Sequence, residues 1–235
     1  MPMAEPGTET LAHDVELRVR EVVKVVKPKL RGWLHAGTLP VAFFGFLVMM
    51  IISDSALVRA GVAVFMVSSM LLFGVSATYH TGQWSLKTRN FWKRFDHANI
   101  FLLIAGSYTP FSMLLLEKKH AIIMLSLVWG GALLGVIFKL FWIGAPRWLY
   151  VPLYLMLGWA AVLYFPEFVD NATTAVLVLM VVGGGLYTIG ALVYGFKWPN
   201  PSPTWFGFHE VFHLLTIAAF VVHYIGVSLL AYQQR

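Results

Sequence analysis

Two histidines at helical spacing lie in the apolar segment HEVFHLLTIAAFVVHY, residues 209–224. His209 and His213 are four residues apart, so on a helix they are offset by about 40° and one turn, and both imidazoles can point at one atom. This spacing is typical of a pair of metal ligands. Because a titratable side chain at the centre of a membrane helix costs about 2.5–3.5 kcal/mol, the segment indicates a functional site.

Two other segments supply residues that would complete such a site. In SATYH, Ser76 and His80 show the same four-residue offset, which places a hydroxyl one turn from a third imidazole. Zinc accepts three neutral histidine nitrogens at about 2.0–2.1 Å and, in catalytic sites, leaves its fourth position to water. Asp96, in the segment RFDHANIFLL, is then placed to orient that water and to take its proton.

The same residues permit a plainer interpretation, in which histidines one turn apart form hydrogen bonds between helices without a metal. Four further titratable residues are predicted not to be ligands. His35 begins an apolar segment, where it is expected to contact headgroups or a helix end, and Glu210 turns away from its histidine neighbours to stabilise a helix N-terminus. His97 points about 100° away from Asp96, which favours a place beside the ligands or at the lipid interface.

His223 is ten residues beyond His213, about 15 Å along a helix, and is therefore too far away to share a zinc ion with it. We expect it to pack through a hydrogen bond or to line a cavity.

The composition of the chain is that of an integral membrane protein. Of its 235 residues, 59% are hydrophobic and 12% are charged, and the mean hydropathy is +0.74. The net charge of +6 arises from basic residues between apolar segments, which indicates topology signals and contacts with membrane lipids, and no nucleic-acid partner. Since the chain has no cysteine, a metal must be bound by histidine, aspartate or glutamate.

Seven apolar stretches are long enough to cross a bilayer, which requires about 20 residues each. They predict an all-α membrane protein, a bundle of seven transmembrane helices. The predicted spans are 33–53, 58–82, 95–116, 121–141, 148–166, 173–195 and 206–230.

The chain is predicted to have two parts, a polar N-terminal segment over 1–32 and the seven-helix domain over 33–235. Within the first part, Val15, Val19, Val22 and Val26 recur at helical spacing. This pattern predicts a short amphipathic helix on the membrane surface.

The distribution of basic residues predicts the orientation of the bundle. Of the 17 lysines and arginines, 13 lie on one side, 12 of them in the N-terminal segment and the second, fourth and sixth loops, and the last, Lys139, near the end of the fourth span. Under the positive-inside rule the N-terminus is cytoplasmic and the C-terminus outside. His80, Asp96, His97, His209 and His213 then all lie near the cytoplasmic face, although they come from three segments far apart in sequence.

The motifs SATYH, RFDHANIFLLIAGSYTP and HEVFHLL together resemble the haemolysin III branch of the progestin and adipoQ receptor family, from about residue 30 to the end of the chain. The resemblance implies a zinc ion near the cytoplasmic face held by His80, His209 and His213. It also implies that Asp96 reaches the zinc-bound water, with Ser76 adjacent. The chain departs from the family before the first span, where a glutamate and an asparagine are commonly found seven and four residues before a histidine.

Counted back from His35, those two positions are Pro28 and Arg31. Related eukaryotic receptors resemble lipid amidases of the ceramidase type. The resemblance therefore implies a zinc-dependent hydrolase acting on a lipid amide or ester in a bacterial plasma membrane, with a lipid or fatty acid bound in the helix bundle. The alternative is a non-enzymatic protein with a structural zinc, such as a lipid sensor, a membrane-homeostasis protein or a pore-forming haemolysin.

The predicted orientation can be measured with a topology reporter. We expect a reporter fused after Arg235 to be active outside the membrane, because 13 of the 17 basic residues lie on the side of the N-terminus. The same reporter fused within the loop between the second and third spans is the control and is expected on the cytoplasmic side. A cytoplasmic C-terminus would reverse the predicted depth of the histidines.

Overall fold

The computed structural model describes residues 28–142 and 144–234, together with Asp14, Val15, Leu17 and Arg18. Within that part of the chain, each predicted membrane span is helical. The helices are α1 (Trp33–Ile52), α2 (Ala56–Thr81), α3 (Leu86–Leu115), α4 (Lys118–Phe141), α5 (Arg147–Gly158), α6 (Phe165–Asn171), α7 (Thr174–Phe196) and α8 (Phe208–Gln233), with a 3₁₀ turn over Ala160–Tyr164 between α5 and α6.

The described residues contain seven helical spans that are long and apolar enough to cross a membrane, of 20 to 30 residues with mean hydropathies of 1.5 to 2.4. The predicted fold class is confirmed. The fifth span, Arg147–Asn171, combines α5, the 3₁₀ turn and α6. The amphipathic helix expected in the N-terminal segment falls, apart from four helical residues, outside the described part of the chain.

The third span begins earlier than predicted. Its apolar stretch was expected from residue 95, but α3 starts at Leu86, where the hydroxyl of Ser85 accepts a hydrogen bond from the amide of Thr88. Hydropathy reports only the part of a helix that suits hydrocarbon, whereas lysine and arginine in the preceding turns are good helix formers. As a result Asp96 lies about three turns inside α3 rather than at its first turn.

Helix α3 is the centre of the bundle. Within its most apolar window 72% of the residues are buried, against 22 to 44% for the other spans, and it packs against α2, α4, α5, α6 and α8. Small residues allow this crowding. At Gly106 an added Cβ would lie 2.6 Å from the Cβ of Ser68, so only glycine permits α2 and α3 to approach so closely there.

The fifth span is interrupted where it crosses the bundle. Pro166 and the 3₁₀ turn leave backbone groups without their usual helical partners, which hydrocarbon cannot satisfy. The hydroxyl of Tyr108, in α3, supplies two partners: it donates to the carbonyl of Gly158 at 2.6 Å and accepts from the amide of Ala161 at 2.9 Å. Irregular backbone is therefore held at this depth by a side chain of the central helix.

Candidate metal centre and adjoining cavity

Three histidines meet where α2 ends and α8 begins. His80 lies in the last turn of α2, and His209 and His213 lie in the first two turns of α8. One ring nitrogen from each lies within 4.8 Å of the other two, and the three residues are only 5, 9 and 2% exposed. The geometry therefore brings together the three residues that the sequence predicted as ligands.

The distances suit a shared metal ion. Two ligands at 2.0–2.1 Å from a tetrahedral zinc lie about 3.3–3.4 Å apart, and the Nε2 atoms of His80 and His209 are 3.2 Å apart. That distance also fits a hydrogen bond between the rings, the plainer alternative. In addition, Nδ1 of His213 is buried and has no hydrogen-bond partner among the described residues, so the cluster is incomplete as a hydrogen-bonded packing unit.

Asp96 and Ser76 lie beside the histidines, as the sequence predicted. Oδ2 of Asp96 is 3.6 Å from Nε2 of His80, and the residue is 8% exposed. This separation is longer than a hydrogen bond. It places the carboxylate beside any ion that the three imidazoles would hold. Ser76, 2% exposed, has a hydroxyl oxygen with no hydrogen-bond partner among the described residues, and it lines the same cavity as Asp96.

Of the two contacts expected for His35, headgroups or a helix end, the first was wrong, because the residue is buried near the start of α8. Its ring stacks on that of His213, with centroids 4.0 Å apart and an interplanar angle of 15°, and it is 2% exposed. Although His35 is the third residue of α1, the chain just before α1 folds toward the start of α8 and covers it. Gly32 makes this possible, because its φ is +89° and an added Cβ would lie 2.6 Å from the Cβ of His80.

His97 is buried beside the histidine cluster, one of the two places expected for it, and not at the lipid interface. Its Nε2 lies 3.0 Å from the hydroxyl of Tyr194, and its carbonyl accepts a hydrogen bond from the hydroxyl of Tyr154 at 2.9 Å. Tyr194 also lies 3.1 Å from the hydroxyl of Tyr150. These tyrosines were not predicted from the sequence, although the four-residue spacing of Tyr150 and Tyr154 is the same signal that identified the histidine pairs.

Glu210 fixes the N-terminus of α8, as predicted, and does so as half of a buried ion pair. Its Oε2 accepts from the amide of Gly207 at 2.8 Å, and its Oε1 lies 2.6 Å from Nε of Arg31. The side chain of Glu210 is fully buried, whereas that of Arg31 is 22% exposed. Arg31, one of the two positions at which the chain departs from the family pattern, thus ties the segment before α1 to the helix that carries His209 and His213.

A cavity of about 320 Å³ extends from the histidine cluster into the bundle. At one end its lining includes His213, Asp96 and Ser76, and further along it is formed mostly by aliphatic and aromatic side chains of α3, α5 and α7. Val162 and Val181, also in its lining, are 57 and 55% exposed on the outside of the bundle. The cavity therefore connects the buried polar cluster with the lipid-facing surface between the fifth and sixth spans.

These features define a class: a seven-helix membrane protein with a buried three-histidine cluster beside an apolar, laterally open cavity. The model of the family described as "Haemolysin-III related" matches residues 23–224. The chain belongs to that family.

The chain is similar to curated proteins from bacteria and animals. It is 33% identical to a hemolysin-3 homolog of Bacillus subtilis over 129 residues, which are 55% of this chain and 61% of that protein. It is 30% identical to hemolysin-3 of Bacillus cereus over 154 residues, covering 66% of this chain and 67% of that protein. Against the adiponectin receptor protein of Drosophila melanogaster the identity is 28% over 188 residues, 71% of this chain and 41% of the receptor.

The ion pair between Arg31 and Glu210 predicts a large effect of removing one partner. Arg31→Ala should lower the free energy of unfolding by about 3–5 kcal/mol, because it leaves a buried carboxylate uncompensated. Thermal unfolding of the purified protein in detergent measures this. The double variant Arg31→Met with Glu210→Gln is the control and should recover most of the loss; equal destabilisation in both would show that the charge pair is not the cause.

Proposed function

We propose that the chain is a zinc-dependent hydrolase of lipid amides or esters. The observation that carries this proposal is the apolar cavity, which begins at the histidine cluster and opens toward lipid. A cavity of this volume lies within the range typical of small-ligand sites, about 300–1,000 Å³. A single acyl chain entering from the membrane would lie along the apolar lining and would bring its carbonyl group to the histidines.

The residues at the closed end have distinct parts in this chemistry. His80, His209 and His213 would hold the zinc ion, which supplies polarisation of the carbonyl and a water made acidic at neutral pH. Asp96 lies close enough to the cluster to orient the attacking water and to accept its proton. Ser76 has an unpaired hydroxyl at the same wall, suited to hydrogen-bond the substrate's polar group.

The stacked ring of His35 excludes solvent from one side of His213 and restricts its rotation. The buried carboxylate of Glu210 fixes the start of α8 and thereby the positions of both its histidines. The burial of the cluster removes competing water, which strengthens the electrostatic interactions within it.

The proposed setting is a bacterial plasma membrane with the histidine end of the bundle at the cytoplasmic face. The distribution of basic residues supports this orientation. Lipids of the inner leaflet would then be the partners that reach the opening between the fifth and sixth spans.

A second candidate is a lipid sensor or membrane-homeostasis protein whose zinc is structural. The 3.2 Å contact between the rings of His80 and His209 favours it, because this contact would join the end of α2 to the start of α8 even in a protein that catalyses no reaction. The name of the Bacillus cereus relative, hemolysin-3, suggests membrane perturbation as a further form of this alternative. The mainly apolar lining of the cavity argues for a lipid ligand and against a polar conduction path.

The metal content of purified variants tests the zinc site. Replacing His80, His209 or His213 by alanine should each remove zinc and lower the melting temperature, because a metal bound only by the folded state stabilises that state. His223→Ala is the matched control, a half-buried histidine of the same helix, and should retain full zinc occupancy. Zinc retained in both His209→Ala and His213→Ala would refute the site.

Hydrolysis is tested separately through Asp96. Asp96→Ala should keep its zinc but lose activity by roughly 10–100-fold or more, because the carboxylate acts on water rather than as a tight ligand. Lipid profiles of membranes with the parent chain and with this variant measure turnover without a substrate chosen in advance. A metal-free variant would make Asp96 a direct ligand, and identical lipid profiles with zinc retained would favour the sensor.

A further inference from the structure

The cavity contains a second polar group, remote from the three-histidine cluster. His223, in α8, and Tyr187, in α7, both line it, and their ring centroids are 5.5 Å apart. Nδ1 of His223 and the hydroxyl of Tyr187 are each buried with no hydrogen-bond partner among the described residues. Unpaired buried polar atoms are uncommon and costly, and here two of them occur together in the wall of a cavity.

The neighbours of His223 determine which of its nitrogens carries hydrogen. Nε2 lies 3.3 Å from the carbonyl oxygen of Met180. A carbonyl can only accept, so Nε2 carries the hydrogen and donates it. In the neutral ring Nδ1 is then an acceptor that lacks a donor, whereas the Tyr187 hydroxyl has a hydrogen to give and lone pairs to offer.

The ring of His223 is held in this orientation by close packing. The ring of Phe111 contacts it with centroids 5.6 Å apart. On the other side an added Cβ at Gly183 would lie 2.2 Å from Cδ2 of His223, so the imidazole occupies space that only a glycine leaves open. The unpaired nitrogen is therefore positioned by its surroundings and cannot turn to find another partner without repacking α7 against α8.

We propose that His223 and Tyr187 form a subsite for a hydroxyl group on the hydrocarbon chain of a bound lipid. A hydroxyl matches both atoms, since it can donate to Nδ1 of His223 and accept from the hydroxyl of Tyr187. A chain without an oxygen there would leave both atoms unpaired. This inference rests on the proposed lipid site and deepens it by naming a substrate class, lipids hydroxylated in mid-chain.

The distance between the two ends of the cavity fixes where the hydroxyl must be. His223 is ten residues beyond His213, about 15 Å along α8. An extended acyl chain covers that distance in roughly ten to thirteen carbons, if its carbonyl group lies at the histidine cluster. A hydroxyl next to the carbonyl would be too close to that cluster to reach His223.

A single bound water could occupy the same position, because it too can donate to one atom and accept from the other. The two sources of the hydroxyl group differ in one respect. A water would be present whichever chain is bound, so it would give no preference between lipids. Only a hydroxyl on the lipid makes affinity depend on the chain.

The experiment compares the affinities of stearate and 12-hydroxystearate for the purified zinc-loaded protein in detergent. We expect 12-hydroxystearate to bind roughly tenfold more tightly than stearate, as two hydrogen bonds to buried partners allow. Tyr187→Phe, which removes one of the two partners, should lower the preference clearly but not abolish it, because the bond to Nδ1 of His223 remains. Tyr224→Phe is the matched control, because Tyr224 packs against Phe46 outside the cavity, and should retain the preference.

Two results would overturn the subsite: equal affinities of the parent protein for stearate and 12-hydroxystearate, or a preference that is undiminished in Tyr187→Phe. The first would assign the position to water. Because the measurement is of binding, it succeeds or fails regardless of turnover. A chain that prefers 12-hydroxystearate but leaves lipid profiles unchanged would keep the subsite and lose the hydrolase.

Discussion

The contact between His80 and His209 is the interaction on which the rest of the site depends. It joins the last turn of α2 to the first turn of α8, two helices separated by most of the chain in sequence. Once these ends meet, His213 falls one turn deeper on the same face and Asp96 approaches from the central helix. The buried pair of Arg31 and Glu210 then secures the same junction from the N-terminal side. Polar groups in an apolar bundle need polar partners, and those of the histidine cluster have theirs where α2 ends and α8 begins.

Much of this arrangement could be predicted from the sequence, because membrane spans and helical spacing are strong local signals. Seven apolar stretches give seven spans, and the four-residue offsets place His209 with His213, and Ser76 with His80. Local patterns do not predict the path of the chain between the spans. The burial of His35 depends on the path through Gly32, and the partners of His97 are tyrosines from two other spans.

The sequence could suggest a cavity in the bundle but not its position, which depends on the shape of the fifth span. Hydropathy predicts one continuous helix over residues 148–166, but Pro166 and a 3₁₀ turn divide the fifth span into two helices. The divided span cannot fill the space beside α3 and α7 as a continuous helix would. The backbone carbonyl of Gly158 and the amide of Ala161 lie at this interruption. The hydroxyl of Tyr108, in the central helix, forms hydrogen bonds with both. An apolar space beside a polar cluster results, and its two ends carry different polar atoms.

The divided fifth span has a mechanical consequence. The histidines are carried by α2 and α8, whereas the opening of the cavity is bordered by the 3₁₀ turn and by α7. Because the fifth span consists of two short helices joined by a 3₁₀ turn, this wall can shift to widen the opening by breaking only a few local hydrogen bonds. Such a shift does not require α2 or α8 to move, so the spacing of the imidazoles would be preserved while the opening widens. The width of the opening and the spacing of the three histidines can therefore change independently in this fold.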